Sequence, residues 1–330
     1  MSRTKALAVF QPVLNQDHYI VSSLVNEKLT TLCSSIKQHT DEKLLIFPEL
    51  IGAWFILSDQ GFGSTDSVES IALRIICRSP ISFLTIFIKN LYAKKFGLLG
   101  CFRRSLFQLR ADFVLDKYYQ TFSNLAIANN CWIVAGSAYL PRLRFENDKK
   151  PEIEDRSSLY NLALTFSPEG KVVDVAYKVH IIEDELGFVD PAPVESIHTF
   201  PCGIFGNVGV LICADSWFPA CYKKLGKFPD VIAVPTFSSP ASSWEERWDG
   251  YSGWPTPSDV VRSDVGSIGL KDAWRKYAVP GRTAGYVGHA FYQGSVLGLT
   301  AGGSSIIGND FDIIQEASES EQVLYFTIPD

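Results

Sequence analysis

Short apolar runs, bounded by charge, glycine or proline, alternate along the chain with longer stretches whose apolar residues fall three or four apart. The runs at 6–10, 43–47, 131–136, 208–212 and 230–235 are too short for helices and rich in branched aliphatics, so they predict buried strands. Residues 19–39 carry Ile20, Leu24, Leu29, Leu32 and Ile36 near helical spacing, and 112–130 repeats that pattern with Phe113, Tyr118, Phe122, Leu125 and Ile127. Residues 159–166 and 171–177 read as paired strands about the turn Ser167-Pro168-Glu169-Gly170. The polar, charged stretch 142–158 reads as a surface loop or excursion, and 323–328 as a terminal strand. Strands alternate with helical stretches without a repeat or linker, which predicts an α/β class. With 330 residues and 46% hydrophobic content, a single domain spanning 1–330 is expected.

One stretch departs from this pattern. Between Glu69 and Asp112 stand eight lysines and arginines and no acidic residue, interleaved with Phe83, Phe87, Tyr92, Phe96 and Phe102. Helices packed on the body with their cations turned outward would look like this. So would a basic amphipathic surface that docks on a membrane, or one that closes over an anionic or long-chain substrate. Nucleic acid is disfavoured, because the whole chain has a formal net charge of −6. The longest apolar stretch, 81–88, is far too short to span a membrane, and the opening residues lack a secretory pattern. Seven irregularly spaced cysteines without a C-x-x-C pair suit free thiols in a reducing compartment, so a cytoplasmic protein is expected.

Three apolar runs end in reactive side chains: Glu49, Lys178 and Cys213. Strand ends of one fold can converge where ligands bind. A carboxylate in a dry pocket can have its pKa raised until it serves as a base for a thiol. An adjacent ammonium stabilises the thiolate and then an oxyanion, together with the backbone N–H of Ala214 that follows the cysteine. Asp215 reads as a hydrogen-bonding support. No histidine and no metal or other cofactor is required for such chemistry. An ordinary buried cysteine, a solvated loop glutamate and a surface lysine are the plainer alternatives for the three residues taken singly.

Taken together, Phe47-Pro48-Glu49, Tyr177-Lys178-Val179-His180 and the run from Gly209 through Cys213-Ala214-Asp215-Ser216-Trp217 to Pro219 resemble the three signatures of the nitrilase, or carbon-nitrogen hydrolase, superfamily. The opening strand with Gln11 and the segment Gly302-Gly303-Ser304-Ser305 resemble it too. Segments near 70–111 and 240–280 match no pattern of that family and look like an insertion and a divergent region. The resemblance implies a four-layer α-β-β-α sandwich and a Glu-Lys-Cys triad, with Glu49 as base, Lys178 as electrostatic stabiliser and Cys213 as nucleophile. It implies a second glutamate near the substrate, for which Glu185 fits best and Glu183 is the fallback. Ala192 stands where the family has a glycine. Trp54 is expected to wall the substrate pocket. Cys213-Ala214-Asp215 resembles the amidase-like branch, which implies a small-molecule linear amide or carbamoyl substrate cleaved through a thioester. A nitrile substrate, acyl transfer to an amine and a catalytically silent scaffold are the alternatives. Family members pair through helices, so a homodimer or larger homo-oligomer is expected.

Overall fold

The computed structural model describes residues 4–36, 41–63, 66–146, 149–226, 229–251, 254–279 and 285–329. The apolar runs form two sheets lying face to face. The first holds seven strands: β1 (Lys5–Gln11), β2 (Glu42–Ile46), β3 (Trp132–Val134), β4 (Ala138–Arg144), β5 (Glu152–Phe166), β6 (Val172–Tyr177) and the C-terminal β15 (Gln322–Ile328). Its order is β15-β1-β2-β3-β5-β4, with β6 paired to β5, and β1, β2 and β3 run parallel. The second holds β7 (Thr199–Pro201), β8 (Asn207–Val210), β9 (Val231–Thr236), β10 (Tyr286–Phe291), β13 (Ile306–Asn309) and β14 (Ile313–Glu316) in the order β14-β13-β10-β9-β8-β7. A separate two-stranded ribbon pairs β11 (Gly294–Val296) with β12 (Leu299–Ala301).

Strand alternation explains the layers. Leu7, Val9, Leu44 and Ile46 turn to the inter-sheet core, while Ala8, Phe10, Leu45 and Phe47 turn outward to helices. The sheets meet so closely at Gly288 that a Cβ there would stand 2.6 Å from Ile46 Cδ1 and 2.9 Å from Val9 Cγ2. The first sheet is covered by α1 (Gln16–Ile20), α2 (Ser22–Ser34) and α5 (Leu98–Asn129), with α3 (Val68–Arg78) and α4 (Pro80–Tyr92) packed on α5. Phe47 of this layer stacks on Phe10 and meets Phe122 of α5 edge-on at 5.2 Å. Burial of one such ring stabilises the layer by about 1.5–3 kcal/mol. A short α6 (Glu183–Leu186) follows β6, and α7 (Pro219–Leu225) and α8 (Leu270–Tyr277) cover the second sheet. The result is the α-β-β-α sandwich that the sequence led us to expect.

Several expectations need correction. The stretch read as one helix from 19 breaks at Val21, whose extended backbone (φ −120°, ψ 121°) separates α1 from α2, and Leu24 is 41% exposed. Its expected end at His39 lies outside the described residues. The helix expected from 112 begins at Leu98 and runs 32 residues to Asn129, ended by Asn130 in the left-handed region. Hydropathy hid its first half because the buried face there is polar: Asn90 of α4 donates to Ser105 and Gln108 of α5 at 2.9 and 2.8 Å. Ile127, assigned to the apolar side, is 56% exposed. Of the stretch 142–158, residues 142–144 and 152–158 belong to β4 and β5, whose antiparallel ladder runs out to Arg144↔Glu152, so the excursion is a projecting strand pair rather than a loop throughout. That ladder leaves the core, so its side chains need not be apolar.

Candidate active site

Glu49 follows β2, Lys178 follows β6 directly, and Cys213 lies just beyond β8. The two sheets therefore deliver all three to one place from opposite sides of the sandwich. Glu49 and Lys178 are buried, 2% and 1% exposed. Lys178 Nζ donates to Glu49 Oε1 at 2.7 Å and to Glu185 Oε2 at 2.7 Å. Asn161 of β5 bridges the same two carboxylates, its Nδ2 donating to Glu49 Oε1 and Glu185 Oε1 at 2.8 Å each. The Tyr139 hydroxyl donates to Glu185 Oε1 at 3.2 Å, and the Ile182 N–H to Glu185 Oε2 at 3.1 Å. Buried charges of this kind are tolerated only when so partnered.

Cys213 has φ of 49°, a left-handed backbone that is costly for any residue but glycine or asparagine. It opens a 3₁₀ turn, Cys213–Trp217, in which the Ser216 hydroxyl donates to the Cys213 carbonyl at 2.8 Å. Asp215 fixes this turn against the end of β6. Its carboxylate accepts the N–H groups of Val179 and His180 at 3.2 and 2.7 Å, and His180 Nδ1 lies 2.9 Å from Oδ1. His180, Asp215 and Cys221 place nitrogen, oxygen and sulfur within 4.8 Å of one another. Asp215 also accepts the Ile212 N–H at 3.4 Å, so its lone pairs are already committed to holding the two chain segments together rather than open to a metal.

Electrostatics follow from one ammonium facing two carboxylates. Burial, first, and the charge of Glu185 push the Glu49 carboxyl up to about 7, against the pull of Lys178. Burial alone would lower the Lys178 ammonium, but the attraction of Glu185 and Glu49 outweighs it and holds the lysine well above its ordinary value. Burial and the negative charge of Glu49 raise the Cys213 thiol well above its usual range, opposed by Lys178. The thiol is thus protonated at rest, with the charges of Glu49 and Lys178 acting on it in opposite directions. Its Sγ lies 3.8 Å from the Phe237 carbonyl oxygen.

The thiol opens on a cleft of about 440 Å³, walled by Trp217, Phe218, Phe237, Trp248, Tyr251 and Trp254. Glu183, Asp184, Glu246 and Asp249 also line it, and among the described residues no lysine or arginine does. Of the expected residues, Glu49, Lys178, Cys213 and Glu185 are brought together, and Ala214 lines the cleft. Glu183 lines the cleft as well, but Glu185 is the glutamate on Lys178. Trp54 does not line this cleft. It walls a neighbouring cavity and touches the cleft only through Phe237, with ring centroids 6.1 Å apart. Sequence reasoning missed Asn161 and Tyr139, which lie mid-strand with no motif around them. It also missed the role of the Trp- and Pro-rich part of 240–280, whose density of aromatics is the signal that it walls a pocket.

The sequence family described as carbon-nitrogen hydrolase matches residues 27–249. No curated protein gives a sequence match. Among solved structures, Nit3 of Saccharomyces cerevisiae, a member of branch 10 of the nitrilase superfamily, superimposes with a TM-score of 0.55 at 18% identity, covering 99% of this chain and 90% of that one. An amidase of Nesterenkonia from the same superfamily gives 0.54 at 14% identity, over 99% and 93%. A carbon-nitrogen hydrolase of Helicobacter pylori gives 0.54 at 14%, over 99% and 89%. At these identities the likeness is one of fold.

Proposed function

The chain belongs to the carbon-nitrogen hydrolase family, within the nitrilase superfamily, and on that premise we propose that it hydrolyses a linear amide through a thioester on Cys213. The observation that carries this reading is the buried Glu49 carboxyl, held on Lys178 at 2.7 Å and raised to about 7, close enough for both charges to act on a Cys213 thiol that burial keeps protonated. A base with a pKa near the working pH suits proton transfer from such a thiol. Glu49 takes the proton as Sγ bonds to the carbonyl carbon, and the carbonyl electrons move to oxygen. Lys178 and the Ala214 N–H stabilise that oxyanion. The oxyanion collapses, the C–N bond breaks, and Glu49 returns its proton to the leaving nitrogen. Water then gives a proton to Glu49 and attacks the thioester, releasing the acid and the thiol.

An amide is favoured over a nitrile by Cys213-Ala214-Asp215, the amidase-like pattern, with Asp215 bound to the backbone after Lys178. The cleft's carboxylates favour a neutral or cationic amine side over an anionic one. In a glutamate-to-glutamine mutant of the Nesterenkonia amidase, the active-site cysteine carries acrylamide by Michael addition or the acetamide moiety of fluoroacetamide, which supports a nucleophilic cysteine in this fold. The test is intact-protein mass spectrometry with a library of linear amides. A mass increase equal to the acyl group, confined to Cys213 and absent from Cys213→Ala, is expected, with turnover in that variant down on the order of 10⁶-fold. Undiminished turnover by Cys213→Ala overturns the assignment.

We propose further that the 70–111 segment contacts a membrane surface. Ile81, Leu84, Ile88, Leu91 and Tyr92 form an exposed apolar stripe on α4, and Lys89, Lys94, Lys95 and Arg103 stand exposed around it. The other arginines bond within the chain: Arg104 is buried on Asp190 and Phe188, Arg78, itself exposed, donates to Gln60, Arg74 pairs with Asp66, and Arg110 donates to the Ser58 carbonyl. No single described helix is long and apolar enough to cross a membrane. None of the seven cysteines is in a disulfide, which supports a reducing, cytoplasmic setting. Homo-oligomerisation, as in the family, belongs to the same proposal.

A further inference from the structure

Beside the Cys213 cleft lies a second cavity, of about 250 Å³, that none of these steps uses. Its wall is mostly apolar, with Ile71 and Ile75 of α3, Leu106 and Phe107 of α5, Leu297 of the loop after β11, and Trp54, while Arg103, Asp184 and Tyr139 are its polar members. Three contacts join it to the reactive cluster. Tyr139 lines the cavity and donates to Glu185. Trp54 lines it and packs on Phe237, whose carbonyl oxygen faces Cys213 Sγ. Asp184 lines both cavity and cleft. Trp54 is 3% exposed, and its indole N–H has no hydrogen-bond partner among the described residues. A buried donor without an acceptor is costly, and a ligand that brings one removes the cost.

We propose that this cavity receives the aliphatic acyl chain of the amide, so that the enzyme prefers medium-chain acyl amides to short ones. The inference rests on the hydrolase reading above and names its substrate class. Most of that wall is hydrocarbon, so an aliphatic chain seated there trades water for apolar contact. At about 30 Å³ per non-hydrogen atom, the share of a molecule in liquid water, the volume takes roughly eight carbons. With the chain seated, the carbonyl lies between the cavity and Cys213. The amine side is left to the acidic cleft. Val68 of α3 lines the mouth and is exposed, so the chain enters beside the helices that present the apolar stripe.

The experiment is a series of linear primary amides from acetamide to decanamide. The expected kcat/KM rises about fourfold per added methylene, or about 0.8 kcal/mol each, and levels near octanamide. Ile71→Trp fills the cavity and flattens that rise, and Ile75→Phe serves the same purpose if the first variant does not fold. A wild-type series flat from acetamide onward, or folded variants that keep the full rise, overturns the inference. If no amide of any length acylates Cys213, the hydrolase reading falls by itself. Tryptophan fluorescence of the Cys213→Ala protein titrated with octanamide then decides the cavity: saturable binding that Ile71→Trp abolishes supports it, and absence of binding overturns it.

Discussion

Around Lys178 the protein keeps charge inside, and along α4 it leaves hydrocarbon outside. In the first region one ammonium and two carboxylates lie under the surface, each bonded to the others or to Asn161, Tyr139 and the Ile182 N–H. In the second, Ile81 and Tyr92 are 82% and 79% exposed, with Leu84 between them also in solvent. Both arrangements oppose folding when taken alone. The difference lies in where the compensation comes from. The buried charges are satisfied within the chain by fixed geometry, so the cluster is complete before any ligand arrives. Among the described residues nothing covers the exposed apolar stripe, and on the proposal above its gain comes from an external surface.

Glu49→Gln makes the sharpest test of the buried region, because it keeps the shape and Lys178 contact while removing the base. Acylation should slow by about 10²–10⁴, read as single-turnover thioester formation. The sign of the pH dependence follows from the raised carboxyl. The base works only when ionised, so wild-type acylation rises about tenfold per pH unit toward a plateau above the Glu49 pKa of about 7, and that limb vanishes in the variant. A rising limb near 4 would mean that the cluster does not hold its carboxylate as described.

Removing the cation comes next. Lys178→Met leaves two buried carboxylates without their ammonium, and should lower unfolding stability by about 3–5 kcal/mol in urea at neutral pH. A loss below about 1 kcal/mol would show that water reaches the cluster and that it is not complete in itself. The smallest effect belongs to α4. Replacing Ile81, Leu84 and Tyr92 together by serine should change stability by no more than about 0.5 kcal/mol per site, since these side chains bury little. The same variant should lose sedimentation with anionic vesicles, and salt should weaken the wild-type binding. Unchanged vesicle sedimentation would erase the contrast between the two regions.

How much of this was legible beforehand differs from element to element. Strand 43–47 was readable because both its faces are buried, one in each core. The first half of α5 was not, because Arg104, Ser105 and Gln108 occupy its buried face and bond to the chain instead of packing as hydrocarbon. Glu49, Lys178 and Cys213 stood out at the ends of apolar runs. Asn161 did not, since its role comes only from lying across the strand from them.

The sequence by itself determined the alternation of strands and helices, the family and the identity of the reactive side chains, because these are written in local periodicity and short motifs. Tertiary structure decided which glutamate meets Lys178, which carboxyl has its pKa raised and where Trp54 faces. Each of those depends on desolvation and on contacts between residues more than a hundred positions apart, such as Glu49 and Asn161, or on which of two neighbouring side chains turns inward. No local pattern carries that information.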